Sequence, residues 1–214
     1  MGIVTVSATF GCGGADIAPA VAARLGLPFH DRAIPAQVAL RMGVPVEEAE
    51  ANDESVVRGL WRVVASLGTM PDPVGGVLPG AGVPDERTFR VHTEHVLTEL
   101  ADSTGGVVLG RAAAIVLRDR PDALHVRLDG PPERRLAAAV AHLGRPEDEV
   151  RRELQAADRA RAAYVRHYHR CDPAEARLYH LVVDSTAFDH DLVVDLVVAA
   201  AHARGISGGS AAGA

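Results

Sequence analysis

The stretch VTVSATFGCGGADIA, Val4 to Ala18, sets three glycines between an apolar run and an alanine-rich segment. A strand–turn–helix unit of this kind offers unpaired backbone N–H groups and a partial positive charge at the helix start, and both attract phosphate. Gly11, Gly13 and Gly14 let the main chain come close to an anion, and Cys12, Ala15 and Asp16 complete the candidate cradle. The full P-loop pattern, G-x-x-x-x-G-K-[ST], adds a lysine for the terminal phosphates and a hydroxyl for magnesium. On that template the lysine falls on Gly14 and the hydroxyl on Ala15, so the turn survives without its side-chain chemistry. A tight structural turn and a phosphate site both fit these residues. The dinucleotide pattern G-x-G-x-x-G fits less well, because its third glycine falls on Asp16. Asp31, after a short second strand, keeps an NAD(P)- or flavin-binding Rossmann protein as a minor alternative.

Two further segments carry cations. In VVLGRAAAIVLRDRPDALHVRLDGPPERR, Arg111 follows Gly110 at the C-terminal end of a predicted central strand, the edge where parallel sheets bind ligands. Its charge needs solvent or a partner, so anion binding and a salt bridge are the two readings. In DRARAAYVRHYHR, Asp158, Arg159 and Arg161 lie within one helical turn, and Asp158 and Arg161 share a face at i, i+3. Guanidinium forks suit phosphate oxygens and the spread charge of a phosphoryl group in transfer, while a solvated helix face is the plainer reading. His167 and His169 stand at i, i+2, a poor spacing for metal ligands on a helix, so no metal site is expected. Cys12 reads as a small filler. Trp61, with apolar neighbours at helical spacing, suits a core or an interface and leaves a homodimer open.

The elements that must position these groups follow from periodicity. The runs IVTVSA from Ile3, GVVLG from Gly106 and HLVVD from His180 read as strands buried on both faces. ALHVRLD from Ala123 is a more mixed fourth, and LPFHD from Leu27 a short fifth. Helical spacing between them, as in DIAPAVAARLG with Gly26 as its stop and Pro19 in its first turn, predicts a mostly parallel sheet with right-handed crossovers. A helix from Pro146 to about His169 opens acidic and closes basic, which complements its dipole. Residues 69–84, with four prolines and four glycines, read as a long surface loop, and the tail from Gly205 as flexible. A net charge of −6 argues against a nucleic-acid polymer as partner. Two cysteines, no basic apolar leader and no run of membrane-spanning length point to a cytoplasmic protein with no membrane partner.

Taken in order, SATFGCGGADIA, LGLPFHDRAI, VVLGRAAAIVL, DRARAAYVRHY and YHLVVDSTAF resemble the cytidylate kinase-like branch of the nucleoside monophosphate kinases, over nearly the whole chain. The resemblance implies a three-layer α/β/α fold of the P-loop kinase type around a mostly parallel five-stranded sheet. It implies one domain over residues 1–204, with a helical acceptor-binding insertion at about 31–104, a lid region at about 131–170 and a tail at 205–214. The implied activity is phosphoryl transfer from ATP, with Mg²⁺, to a nucleoside monophosphate of the CMP type, with nucleotides as partners. Arg111 matches the arginine that contacts the acceptor phosphate, although Ala112 replaces the aspartate that commonly follows it. Asp158 and Arg161 match the D-x-x-R element that holds the acceptor nucleotide. Asp31 and Arg32 stand at the entrance to the monophosphate-binding region, where Arg32 replaces a small hydroxyl residue and Gln37 an arginine. Arg159, with one of Arg134, Arg135, Arg151 or Arg152, would approach the transferring group as the lid closes. Relatives often carry G-S-G-G-R-E at the loop, so a missing lysine is a habit of the branch. Here Ala15 takes the place of that arginine, with Asp16 beside it, and a slow kinase or a catalytically impaired nucleotide- or anion-binding regulator would both follow.

Overall fold

The computed structural model describes residues 2–30, 86–110 and 112–208. The expectations for Asp31, Arg32, Gln37, Trp61, the loop 69–84 and Arg111 therefore lie outside the described residues. Five strands form one sheet: β1 (Ile3–Ala8), β2 (Phe29–His30), β3 (Gly106–Leu109), β4 (Ala123–Asp129) and β5 (Leu181–Asp184). Their order is β2-β3-β1-β4-β5, and every neighbouring pair is parallel. Ile3 stands level with Gly106 on one side and Ala123 on the other, which makes β1 the central strand. A dinucleotide-binding sheet runs 3-2-1-4-5 instead, so the Rossmann alternative is set aside.

The alternation of β1 builds two layers. Val4 and Val6 face α1 (Gly14–Leu25) and the last helix, α6 (His190–Ala203), in a cluster with Ile17, Val21, Val193 and Val197. Ile3 faces the opposite way, toward α2 (Glu86–Asp102) and the short α3 (Ala113–Val116), packing with Val96, Leu97, Val108 and Leu117. A smaller third cluster joins Leu136 and Ala139 of α4 (Pro132–Leu143) to Val150 and Leu154 of α5 (Glu147–His169), with Phe10 against it. This is the three-layer arrangement expected of a sheet whose strands read as near-continuous apolar runs.

Gly26 ends α1 in the left-handed region, at φ +64°, with its N–H turned back to Ala22 and Ala23. Two expectations need correction. Pro19 is not in the first turn, because α1 begins at Gly14, directly from the glycine loop. It is the sixth helical residue and leaves the carbonyl of Ala15 without a helical donor, which is tolerable because Ala15 is exposed. The segment from Gly205 is also not uniformly loose. Ile206 is buried in the main core against Gly2, and the Gly208 N–H donates to the Leu25 carbonyl at 2.7 Å.

Among the described residues, no helix is long and apolar enough to cross a membrane. His125 on β4 shows what the interior does to a basic side chain that finds no anion. It is 2% exposed, its Nδ1 shares a 2.8 Å hydrogen bond with the Thr5 hydroxyl, and its ring stacks on His180 at 4.9 Å. Burial, then the nearby His180 charge, pushes its pKa down to about 4, so the ring is neutral at pH 7.

Candidate functional site

The glycine loop leaves the C-terminal end of β1 and is fastened through its carbonyls. Thr9 N–H donates to Leu128 O at 3.1 Å, tying the loop's first residue to β4. Cys12 N–H returns to Thr9 O, Ser185 Oγ donates to Cys12 O at 2.9 Å, and Arg135 donates to Phe10 O at 3.2 Å. Asp16 and Ile17 N–H both bond Gly13 O, which opens α1. With those bonds made, the amides of Gly11, Gly13, Gly14 and Ala15 have no hydrogen-bond partner among the described residues. Four free amides in one turn at a helix start form the arrangement that accepts an anion.

Two glycines are dictated by contact. A Cβ at Gly11, which sits at φ +83°, would overlap the Arg135 carbonyl; a Cβ at Gly14 would overlap that of Ala8. Gly14 is the P-loop lysine position, so this loop has no room for any side chain there. Cys12 is 2% exposed and its thiol lies 3.1 Å from Thr9 Oγ1; burial pushes its pKa up, against the hydrogen bonds of Thr9 and Ser185.

The loop borders a cavity of about 540 Å³ at the C-terminal edge of the sheet, lined by Gly13, Asp16, Arg127, Arg161, Tyr179 and His190 among others. Phe10, Ala139 and Leu143 supply an apolar wall from the loop and α4. Arg127, on β4, is largely buried and holds Asp129 Oδ2 through Nε at 2.9 Å and a terminal nitrogen at 2.7 Å, with its guanidinium 5.6 Å from the centre of the Tyr179 ring. Burial would raise the Asp129 carboxyl, but Arg127, the Gly130 N–H and the Thr9 hydroxyl hold it below the usual range. Asp129 in turn orients Thr9, the first residue of the loop.

Arg161 differs. It lines the same cavity, and no hydrogen bond or ion pair joins it to another described residue. Desolvation by the surrounding protein lowers its pKa, with the charge of Asp158 acting against that. An arginine remains protonated through such a change, so the cavity holds a guanidinium whose donors no other described residue takes up.

The sequence-derived candidates divide accordingly. Gly11, Cys12, Gly13, Gly14, Ala15, Asp16 and Arg161 all line this one cavity. Asp158 is taken up by Arg135, at 2.7 and 3.2 Å. Arg159 is exposed and lies outside the cavity lining. The four arginines expected to approach from the lid are all engaged: Arg134 with Asp184, Arg135 with Asp158, Arg151 with Glu147 and Glu133, and Arg152 with the Asp148 carbonyl. Among the described residues, no group of three or more His, Cys, Asp or Glu could hold a metal ion.

Sequence reasoning missed Arg127, Tyr179 and His190. An arginine inside the apolar run ALHVRLD was the available signal for Arg127, since a buried charge needs a built partner. His190 heads α6 with its Nδ1 4.0 Å from Asp16 Oδ2, and its ring fills the space a Cβ on Gly13 would need. No motif announces it.

A profile of the cytidylate kinase-like family matches residues 3–187. Among solved structures, an uncharacterized protein from Eubacterium ventriosum ATCC 27560 is similar over 94% of this chain and 99% of its own, at 15% identity and a TM-score of 0.65. A gluconokinase from Sinorhizobium meliloti 1021 is similar over 94% and 92%, at 17% identity and a TM-score of 0.50. These likenesses concern the fold. A uronate isomerase from Corynebacterium glutamicum is 26% identical over 138 residues, 64% of this chain but only 26% of that protein. The chain thus spans about a quarter of the length of that curated relative.

Proposed function

The chain belongs to the cytidylate kinase-like family, and on that premise we propose that it binds the phosphates of Mg·ATP in the glycine loop and passes the terminal phosphoryl group to a nucleoside monophosphate of the CMP type. One observation carries the reading: the amides of Gly11, Gly13, Gly14 and Ala15, and the guanidinium of Arg161, line one cavity and have no partner among the described residues. A loop of backbone donors suits a polyphosphate donor, and a separate arginine suits an anionic acceptor. The acceptor oxygen of a nucleoside monophosphate is already anionic near neutral pH, so the reaction asks for positioning and charge neutralisation more than for a base. In this proposal Arg161 holds the acceptor phosphate or the transferring group, and Arg111, Asp31 and Arg32 contribute from the acceptor side. Mg²⁺ would come with its nucleotide as part of the substrate, since Ala15 offers it no hydroxyl.

A second reading is supported by a specific observation. The lysine position is sterically closed by Ala8, and Asp16 brings a negative charge to the loop. A lost transition-state donor costs about 3–4 kcal/mol in comparable sites, which would leave a nucleotide- or anion-binding regulator with little turnover. A coupled assay with CMP, UMP, dCMP and AMP plus Mg·ATP, run beside calorimetry with the same nucleotides, separates the two. Diphosphate formed above background supports the kinase; binding without turnover supports the regulator. Absence of binding rejects both.

A further inference from the structure

Asp158 and Arg135 both carry expected ligand roles, and the structure engages both elsewhere. Arg135 is 5% exposed and spends its guanidinium on three segments. Its Nε donates to Gly130 O at 3.0 Å, one terminal nitrogen donates to Phe10 O at 3.2 Å, and both terminal nitrogens grip Asp158, at 3.2 and 2.7 Å. The Arg135 carbonyl also stands where a Cβ of Gly11 would be. One side chain on α4 thus touches the glycine loop, the β4–α4 turn and α5. The fork geometry explains why arginine is needed: a lysine offers a single point charge and cannot serve two carbonyls and a carboxylate in fixed directions.

We propose that Arg135 and Asp158 are positioning residues for the glycine loop: Asp158, from α5, orients the Arg135 fork, and the fork fixes the Phe10 carbonyl so that the amides of Gly11, Gly13, Gly14 and Ala15 stay free. Seating of α5 against α4 then sets the shape of the anion cradle, and Asp158 contacts no substrate. The anion-binding arm of the test rests on the proposed function; the thiol arm does not.

The test uses Cys12, buried in the loop, as a reporter, in a chain carrying Cys171→Ser so that the second thiol is silent. Arg135→Met with Asp158→Leu removes the pair while keeping volume, a change that often leaves stability intact because both desolvated charges go together. The expected result is a folded protein with a similar melting temperature, in which a thiol reagent labels Cys12 at least about tenfold faster. Pyrophosphate affinity by calorimetry falls by a similar factor. Where the double variant does not fold, Asp158→Asn gives the same comparison in milder form. A folded variant whose Cys12 labels at the unaltered rate overturns the proposal. So does Asp158→Asn weakening CMP binding while Cys12 labelling and pyrophosphate affinity stay fixed, since that marks a substrate contact. If the unaltered chain binds no pyrophosphate, the proposed function suffers, and the labelling comparison still decides the role of the pair.

Discussion

Arg135 and Arg161 come from neighbouring helices and reach the same end of the sheet, yet the molecule treats them in opposite ways. Arg135 is sealed from water and each of its directions is matched by a carbonyl or a carboxylate. Arg161 has desolvated surroundings and an open front, and no partner among the described residues answers it. His125 supplies the third case: buried without an anion, it stays neutral. A basic group inside this fold is therefore fastened, discharged, or kept charged at a cavity. Only the last arrangement keeps a charge that no other described residue pairs, and the proposed ligand role of Arg161 rests on that difference.

The largest expected effect is at the fastened residue. Arg135→Ala leaves the Asp158 carboxylate unpaired and should destabilise the fold by about 3–5 kcal/mol, read from urea denaturation. A loss under about 1 kcal/mol would dissolve the contrast with Arg161.

His125 sharpens the comparison through pH. Its folded pKa, about 4, lies below the ordinary histidine value of 6.5, so protons bind the unfolded chain more readily. Its stabilising contribution is complete above pH 6.5 and is lost as pH falls toward 4, by up to about 3 kcal/mol. Urea midpoints between pH 7 and 4 should fall more steeply in the unaltered chain than in His125→Gln; parallel curves would refute the neutral state.

Gly14→Lys restores the P-loop lysine in sequence and should fail in structure. Overlap with Ala8 predicts a destabilisation of about 1–3 kcal/mol and no gain in activity. Gly14→Lys with Ala8→Gly relieves the overlap, and thermal melting should recover in the pair.

The smallest effect on stability, and the most telling, is at Arg161. Arg161→Met should change unfolding free energy by less than about 0.5 kcal/mol. Its affinity for CMP or another anionic acceptor should drop about 10- to 100-fold in calorimetry, the value of a hydrogen bond to a charged group. A large stability loss with unchanged binding would move Arg161 into the class of Arg135.

Much of the fold was legible because burial on both faces writes itself into strands such as IVTVSA and GVVLG, and a glycine turn must follow where main chain meets main chain closely. The D-x-x-R spacing correctly put Asp158 and Arg161 on one helix, but it could not reveal that the carboxylate turns to Arg135, 23 positions away. Partner choice among arginines depends on packing between helices, which spacing along one helix does not encode. The Pro19 misplacement has a similar source: helical spacing in DIAPAVAARLG starts the helix at Asp16, whereas the loop's own hydrogen bonds to Gly13 set it earlier. Tyr179 enters the cavity from the turn before β5 and His190 from the start of α6, and only the assembled fold brings them there.

Ile206 packs on Gly2 beneath the first residue of β1, so both termini of the described domain emerge at the N-terminal rim of the sheet. The cradle lies at the other rim, about 20 Å away along a six-residue strand. A surface-immobilised or fluorescently tagged protein, linked through either end, would hold its opening toward bulk solution, and titrations on such a support should reproduce those of the free molecule.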